Sequence, residues 1–167
     1  VVVGAAPEDV VGNETGVFDE VRRLAHLRDM DALGAVQGHL LVVILGGVQN
    51  AEADARTVID LFGGGPVVVG PVANGLSHAH LSASVALGAR RAAAGWPDAP
   101  RPVSAHDLLP VRIRAGDLGA RDEAVEHVFR PLADARGELV ETVVAYFANG
   151  TGIEATARAL FVHANTV

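Results

Sequence analysis

The hydrophobic positions change period along the chain, and each change marks an element. Val1 to Val3 is a short β-branched run broken by Gly4 to Pro7, which predicts a first strand. Asn13 and Thr15 are candidate N-caps for a helix whose apolar side is Val17, Val21, Leu24 and Leu27. Ala32 to Gln37 is a short apolar stretch, Gln37-Gly38 suits a tight hairpin turn, and Leu40 to Leu45 reads as a buried strand ended by Gly46-Gly47. Asn50 is placed to cap a helix to about Phe62, with Ala53, Val58, Leu61 and Phe62 as its apolar side. Gly63-Gly64-Gly65-Pro66 stops it, Val67 to Val69 is another strand, and Ser77 is a candidate cap for a long helix to about Ala94 with Leu81, Val85 and Leu87 inside. A proline-rich loop from Trp96 to Pro102 then leads to a last short edge strand, Val103 to Ala105. This order predicts an α+β, ferredoxin-like domain with helices on a mainly antiparallel sheet.

After His106 the pattern becomes helical. Leu108 to Leu118 is irregular with room for one short helix. Gly119 to Ala135 reads as a helix with Ala124, Val125, Val128 and Leu132 on one side, bent or divided at Pro131. Leu139, Val143, Tyr146 and Phe147 form an apolar stripe on a further helix. Asn149 to Gly152 is a turn. Ile153 to Phe161 is a second short helix with Ile153, Ala157 and Leu160 facing inward. Val162-His163-Ala164 turns again, and Asn165 or Thr166 is placed to cap a third helix. Helix, tight turn and capped helix is the plan of a helix-turn-helix. The expected division is an α+β domain over residues 1–109, a helical linker over 110–137 and a helix-turn-helix over 138–167.

Composition narrows the classes of function. The chain of 167 residues has no Cys, which removes disulfides, thiol nucleophiles and Cys-based zinc sites. The run Leu40 to Leu45 is far shorter than the roughly 20 residues of a membrane helix, and no basic-then-apolar leader opens the sequence, so a cytoplasmic setting is expected. All 13 basic residues are Arg, and the formal net charge is −7. An acidic chain is a poor unaided ligand for nucleic acid, whose phosphates demand a basic face.

The C-terminal residues carry a more specific signal. Glu138-Leu-Val-Glu-Thr-Val-Val-Ala-Tyr-Phe147, then Asn149-Gly150, then Ala155-Thr-Ala-Arg-Ala-Leu-Phe-Val-His-Ala-Asn-Thr-Val167 resembles the C-terminal helix-turn-helix of PucR/CdaR-type transcription regulators. The resemblance implies that the motif continues beyond Val167 into an Arg-rich helix, so the recognition helix is expected to be cut short here. That accounts for the one Arg against three Glu between Glu138 and Val167. It also implies DNA as partner of the intact protein and, because such motifs pair to read two half-sites, a homodimer. Within the motif, Asn165 and Thr166 lie where the recognition helix begins and are candidate DNA contacts. Thr156 and Arg158 are candidate phosphate contacts. His163 would either touch phosphate, help orient Asn165 or fill the turn.

The upstream part is similar to the degenerate GGDEF-like domain that precedes this motif in the family. The similarity rests on element order, on Leu40-Leu-Val-Val-Ile-Leu45 after a hairpin, and on Gly65-Pro66-Val-Val-Val-Gly70 before an Ala/Arg helix. Active diguanylate cyclases carry an acidic signature at that hairpin; here it reads Val36-Gln37-Gly38-His39-Leu40. Two-metal nucleotidyl transfer needs carboxylates, so no cyclase chemistry, catalytic residue, metal or cofactor is expected. The alternative is a ligand- or nucleotide-binding sensor module.

Other constellations read as structure. His78 and His80 stand two apart and point to different helix faces. Gly63-Gly64-Gly65 lacks the Gly-Lys-Ser/Thr of a phosphate loop. Ser104, His106 and Asp107 are sequence neighbours without a nucleophile elbow. Arg90-Arg91 and Arg112/Arg114 read as solvated charges, with a small anionic effector as the rarer alternative.

Overall fold

The computed structural model describes residues 1–8, 10, 14–135 and 139–167. Asn13 and Glu138 lie outside the described residues. The chain forms two compact units, Val1–Ala120 and Arg121–Val167.

The first unit is built on a five-stranded sheet of β1 (Val2–Ala5), β2 (Asp31–Gln37), β3 (Leu40–Gly46), β4 (Val68–Val69) and β5 (Val103–Ser104), in spatial order β2-β3-β1-β4-β5. The pairs β2–β3, β3–β1 and β1–β4 are antiparallel, which is the split-βαβ, ferredoxin-like arrangement. The edge strand β5 runs parallel to β4, so the sheet is mainly but not wholly antiparallel. The long excursion between those two strands includes a helix, and a helical crossover returns the chain in the same direction.

Period-2 alternation divides the core into two layers. Val2 and Val69 join Leu41 and Val43 on one face, under α1 (Glu14–His26) and α2 (Ala51–Ala55, continued by a 3-10 turn Arg56–Leu61). Val3 and Val68 join Val103 on the other face, under α3 (Ala79–Ala92) and the following Ala105 and Leu108. The hairpin between β2 and β3 has a two-residue loop, Gly38-His39, flanked by the pair Gln37–Leu40. Gly38 has φ +62°, the left-handed geometry a type II′ turn needs at its first loop position.

Asn50 caps α2 as expected: its Oδ1 accepts the Ala53 N–H at 3.0 Å, while Asp54 Oδ2 accepts the Asn50 N–H at 2.9 Å. Two other expected caps fail. Thr15 sits inside the first turn of α1 and is no cap. Ser77 does not cap α3; its hydroxyl contacts His78 Nδ1, and a 3-10 turn over Leu76–His78 leads into the helix. The buried face of α3 is Ala79, Ser82, Ala86, Ala89 and Ala92, whereas Leu81 is exposed. Small side chains let this helix lie close to the sheet, so close that a Cβ on Gly70 would run into the Ser82 backbone oxygen.

Beyond β5 come α4 (Leu109–Arg114) and α5 (Leu118–Ala124). The Arg112 guanidinium is 2% exposed; its Nε donates to Asp117 Oδ2 at 3.0 Å and its Nη1 to the Ala105 carbonyl at 3.4 Å. Asp117 Oδ1 also accepts the Ala120 N–H at 3.1 Å at the start of α5. Burial alone would raise the Asp117 carboxyl, but the Ala120 amide and the Arg112 guanidinium outweigh it and hold the group below the ordinary carboxylate range. Arg112 is therefore a buried structural cation rather than the solvated charge expected.

The second unit contains a π-helical turn Val125–Phe129, α6 (Arg130–Asp134), α7 (Leu139–Ala148), α8 (Ile153–Leu160) and a 3-10 turn Ala164–Thr166. Pro131 falls in the first turn of α6, directly after the π-helical turn in which the Arg130 N–H returns to the Val125 carbonyl. Val125 and Val128 are exposed. No described helix is long and apolar enough to cross a membrane.

Candidate nucleic-acid interface

The site is a pair of helices, two turns and the start of a third helical segment. The first turn follows α7. Gly150 and Thr151 both adopt the left-handed conformation, with φ of 65° and 62°, and the Thr151 N–H returns to the Tyr146 carbonyl at 2.9 Å. The Asn149 side chain also closes on the helix, its Nδ2 donating to the Ala145 carbonyl at 2.7 Å. Gly152 precedes α8, and its carbonyl accepts both the Thr156 N–H at 2.9 Å and the Thr156 Oγ1–H at 2.8 Å. Thr156 is fully buried beside Ala157. The small, buried Ala157 matches the sequence reading, while Ile153, expected inward, is exposed.

The second turn begins at Phe161, which closes α8 in the left-handed conformation with φ 57° and is 95% exposed. The Val162 N–H reaches back to the Ala157 carbonyl at 3.0 Å, the long return bond of a Schellman-type ending. His163 rather than Asn165 or Thr166 is the residue that caps the third segment. Its Nδ1 accepts the Asn165 N–H at 3.1 Å, and its carbonyl accepts the Thr166 N–H at 2.8 Å. An Nδ1 that accepts leaves Nε2 as the protonated nitrogen of the neutral ring, a donor at the surface.

Of the five candidate contacts, the structure brings His163, Asn165 and Thr166 together on one exposed turn. Arg158 is exposed on α8 and stands 4.0 Å from Glu154. Thr156 does not join them: a fully buried hydroxyl committed to the Gly152 carbonyl is at odds with a phosphate contact. In the apolar stripe of α7, Leu139, Val143 and Phe147 are exposed, while Tyr146 is half-buried and meets Phe147 edge to face at 5.7 Å. Sequence reasoning missed Phe161. Its signal was position, one residue past the last helical turn, where glycine is usual. Elsewhere, no cluster of three or more His, Asp or Glu able to hold a metal ion occurs among the described residues.

Two family profiles match this chain: a GGDEF-like domain over residues 1–92 and the PucR C-terminal helix-turn-helix domain over residues 139–167. The chain belongs to the GGDEF-like family, in its PucR-type form. Residues 139–167 of this PucR-type chain hold the two helices and the turn just described. Uncharacterized proteins of Mycobacterium tuberculosis and Mycobacterium bovis are 44% identical to it over 157 residues, covering 93% of this chain and 38% of theirs. The PucR-type chain thus spans under two fifths of the length of these curated relatives. Its backbone also follows the crystal structure of a regulator of polyketide synthase expression from Bifidobacterium adolescentis. That match has a TM-score of 0.75 and 26% identity, and covers 99% of this chain and 66% of the other.

Proposed function

We propose that this chain is part of a bacterial transcription regulator whose helix-turn-helix reads DNA while the GGDEF-like domain supports it without catalysis. The observation that carries the reading is the exposed turn His163–Thr166, whose cap is built from the His163 ring and whose next residues, Asn165 and Thr166, start the third segment. Backbone amides at such a start attract phosphate, and side chains there reach base edges. Arg158, one turn back along α8, supplies the one positive side chain of residues 139–167.

On this reading the protein acts in the cytoplasm as a homodimer, because a two-fold pair matches two half-sites. Residues 1–109 serve as the dimerisation or signal-coupling domain, 110–137 as the connection and 138–167 as part of the DNA reader. The hairpin loop Gly38-His39 carries no carboxylate, which favours a supporting over a nucleotidyl-transfer role. Fluorescence anisotropy of the full-length protein on a labelled duplex from its own upstream region tests the assignment. Asn165→Ala is expected to cost about 1–3 kcal/mol and to relax sequence preference. Arg158→Ala is expected to weaken all sequences alike and to flatten the salt dependence. Unchanged affinity in both variants would remove the proposed interface.

A further inference from the structure

The C-terminal end of α3 borders a cleft of about 690 Å³ whose walls include Gly65, Pro66, Arg90, Arg91, Trp96 and Arg101. No Asp or Glu lines it. Three of the chain's 13 basic residues therefore meet at one concavity of a molecule whose net charge is −7. Arg101 is held by backbone alone. Its Nε donates to the Gly65 carbonyl at 3.1 Å and its Nη2 to the Phe62 and Gly63 carbonyls at 3.1 and 2.8 Å. Carbonyls fix the guanidinium but leave its charge in place. The Arg90 Nε is buried and has no hydrogen-bond partner among the described residues. No carboxylate pairs with Arg90, Arg91 or Arg101 among the described residues.

Basic residues in the last turn of a helix complement its dipole, which accounts for the placement of Arg90 and Arg91. It does not account for a third, immobilised guanidinium on the same cleft, nor for a buried donor without an acceptor. Uncompensated like charges around one concavity repel, and an unmade buried hydrogen bond costs free energy. A bound oxyanion would relieve the repulsion, since the guanidinium fork of the exposed Arg91 and Arg101 matches phosphate and carboxylate oxygens. Trp96, 36% exposed at the rim, adds an apolar wall.

We propose that this cleft binds a small anion carrying at least two negative charges on phosphate or adjacent carboxylate oxygens. Trp96 is the single Trp of the chain, so its fluorescence reports on the site directly. The 167-residue protein is titrated with pyrophosphate and, separately, with citrate, ionic strength being held constant with NaCl. A saturable change in Trp96 emission is expected, and the stronger of the two anions identifies the oxygen chemistry. Arg90→Gln/Arg91→Gln, checked for folding by circular dichroism, is expected to weaken binding by about tenfold or more. Arg91→Lys preserves charge and should keep weaker but measurable binding, which serves if the double variant does not fold. The proposal is overturned if neither anion gives a saturable change in the folded protein, or if the folded variants bind as tightly as the parent. It is equally overturned if a short random duplex shifts the emission where neither small anion does.

Discussion

Single residues show where side-chain chemistry overrides a sequence pattern. Thr156 is a candidate phosphate contact by its place in the helix-turn-helix, but its hydroxyl is spent on Gly152 inside the turn. Hydrogen-bond commitments of this kind have no periodicity and cannot be read from spacing. Thr156→Val is therefore expected to lower stability by about 1 kcal/mol, measured as a fall in urea midpoint, rather than to lose one phosphate's share of the salt dependence. Phe161 runs the other way. A non-glycine residue in the left-handed region costs roughly 1–2 kcal/mol, and a side chain 95% exposed returns little packing. Phe161→Gly should raise the thermal midpoint of this chain; a fall would mean that the ring packs more than its exposure indicates. Asp117 supplies the pH test. Its folded carboxyl lies below the ordinary range, so its contribution is present at neutral pH and is lost as pH falls from about 4 through the folded value. Asp117→Asn should flatten the acid side of the stability–pH curve. Asp117→Ala, which strips a partner from buried Arg112, should cost about 3 kcal/mol.

At the scale of elements, the sequence was most legible where a local rule sufficed. Asn50 and α2, the Gly38 hairpin and the strand Leu40 to Leu45 all follow from caps, turn residues and apolar runs. It was least legible where tertiary packing chooses between faces. The sequence reading placed Leu81, Val85 and Leu87 within α3 without choosing its face, and the sheet takes the alanine face, since only small side chains allow the approach that Gly70 also permits. Gly70→Ala is accordingly expected to destabilise the first unit by about 1–3 kcal/mol, seen as a lowered thermal midpoint with unchanged secondary structure. The parallel direction of β5 escaped for a related reason: strands of two residues carry no directional pattern, and the direction comes from the helix between them. In α7 the stripe Leu139, Val143 and Phe147 has helical spacing, but spacing does not say what covers it.

For the whole molecule, the ferredoxin-like sheet lies in the first compact unit and the helix-turn-helix in the second. The GGDEF-like profile covers residues 1–92 and the PucR C-terminal helix-turn-helix profile residues 139–167, and the 44% identical mycobacterial proteins align with both parts of the chain. On the proposed function, the net charge of −7 predicts that affinity for DNA falls steeply as ionic strength rises. The central claim is that the protein reads DNA through the turn at His163–Thr166. A gel shift of the folded full-length protein on the region upstream of its own gene, at low salt, addresses it most directly. The account predicts a discrete, competitor-resistant complex that Asn165→Ala weakens. A folded dimer that forms no such complex, or one indifferent to Asn165, would contradict it.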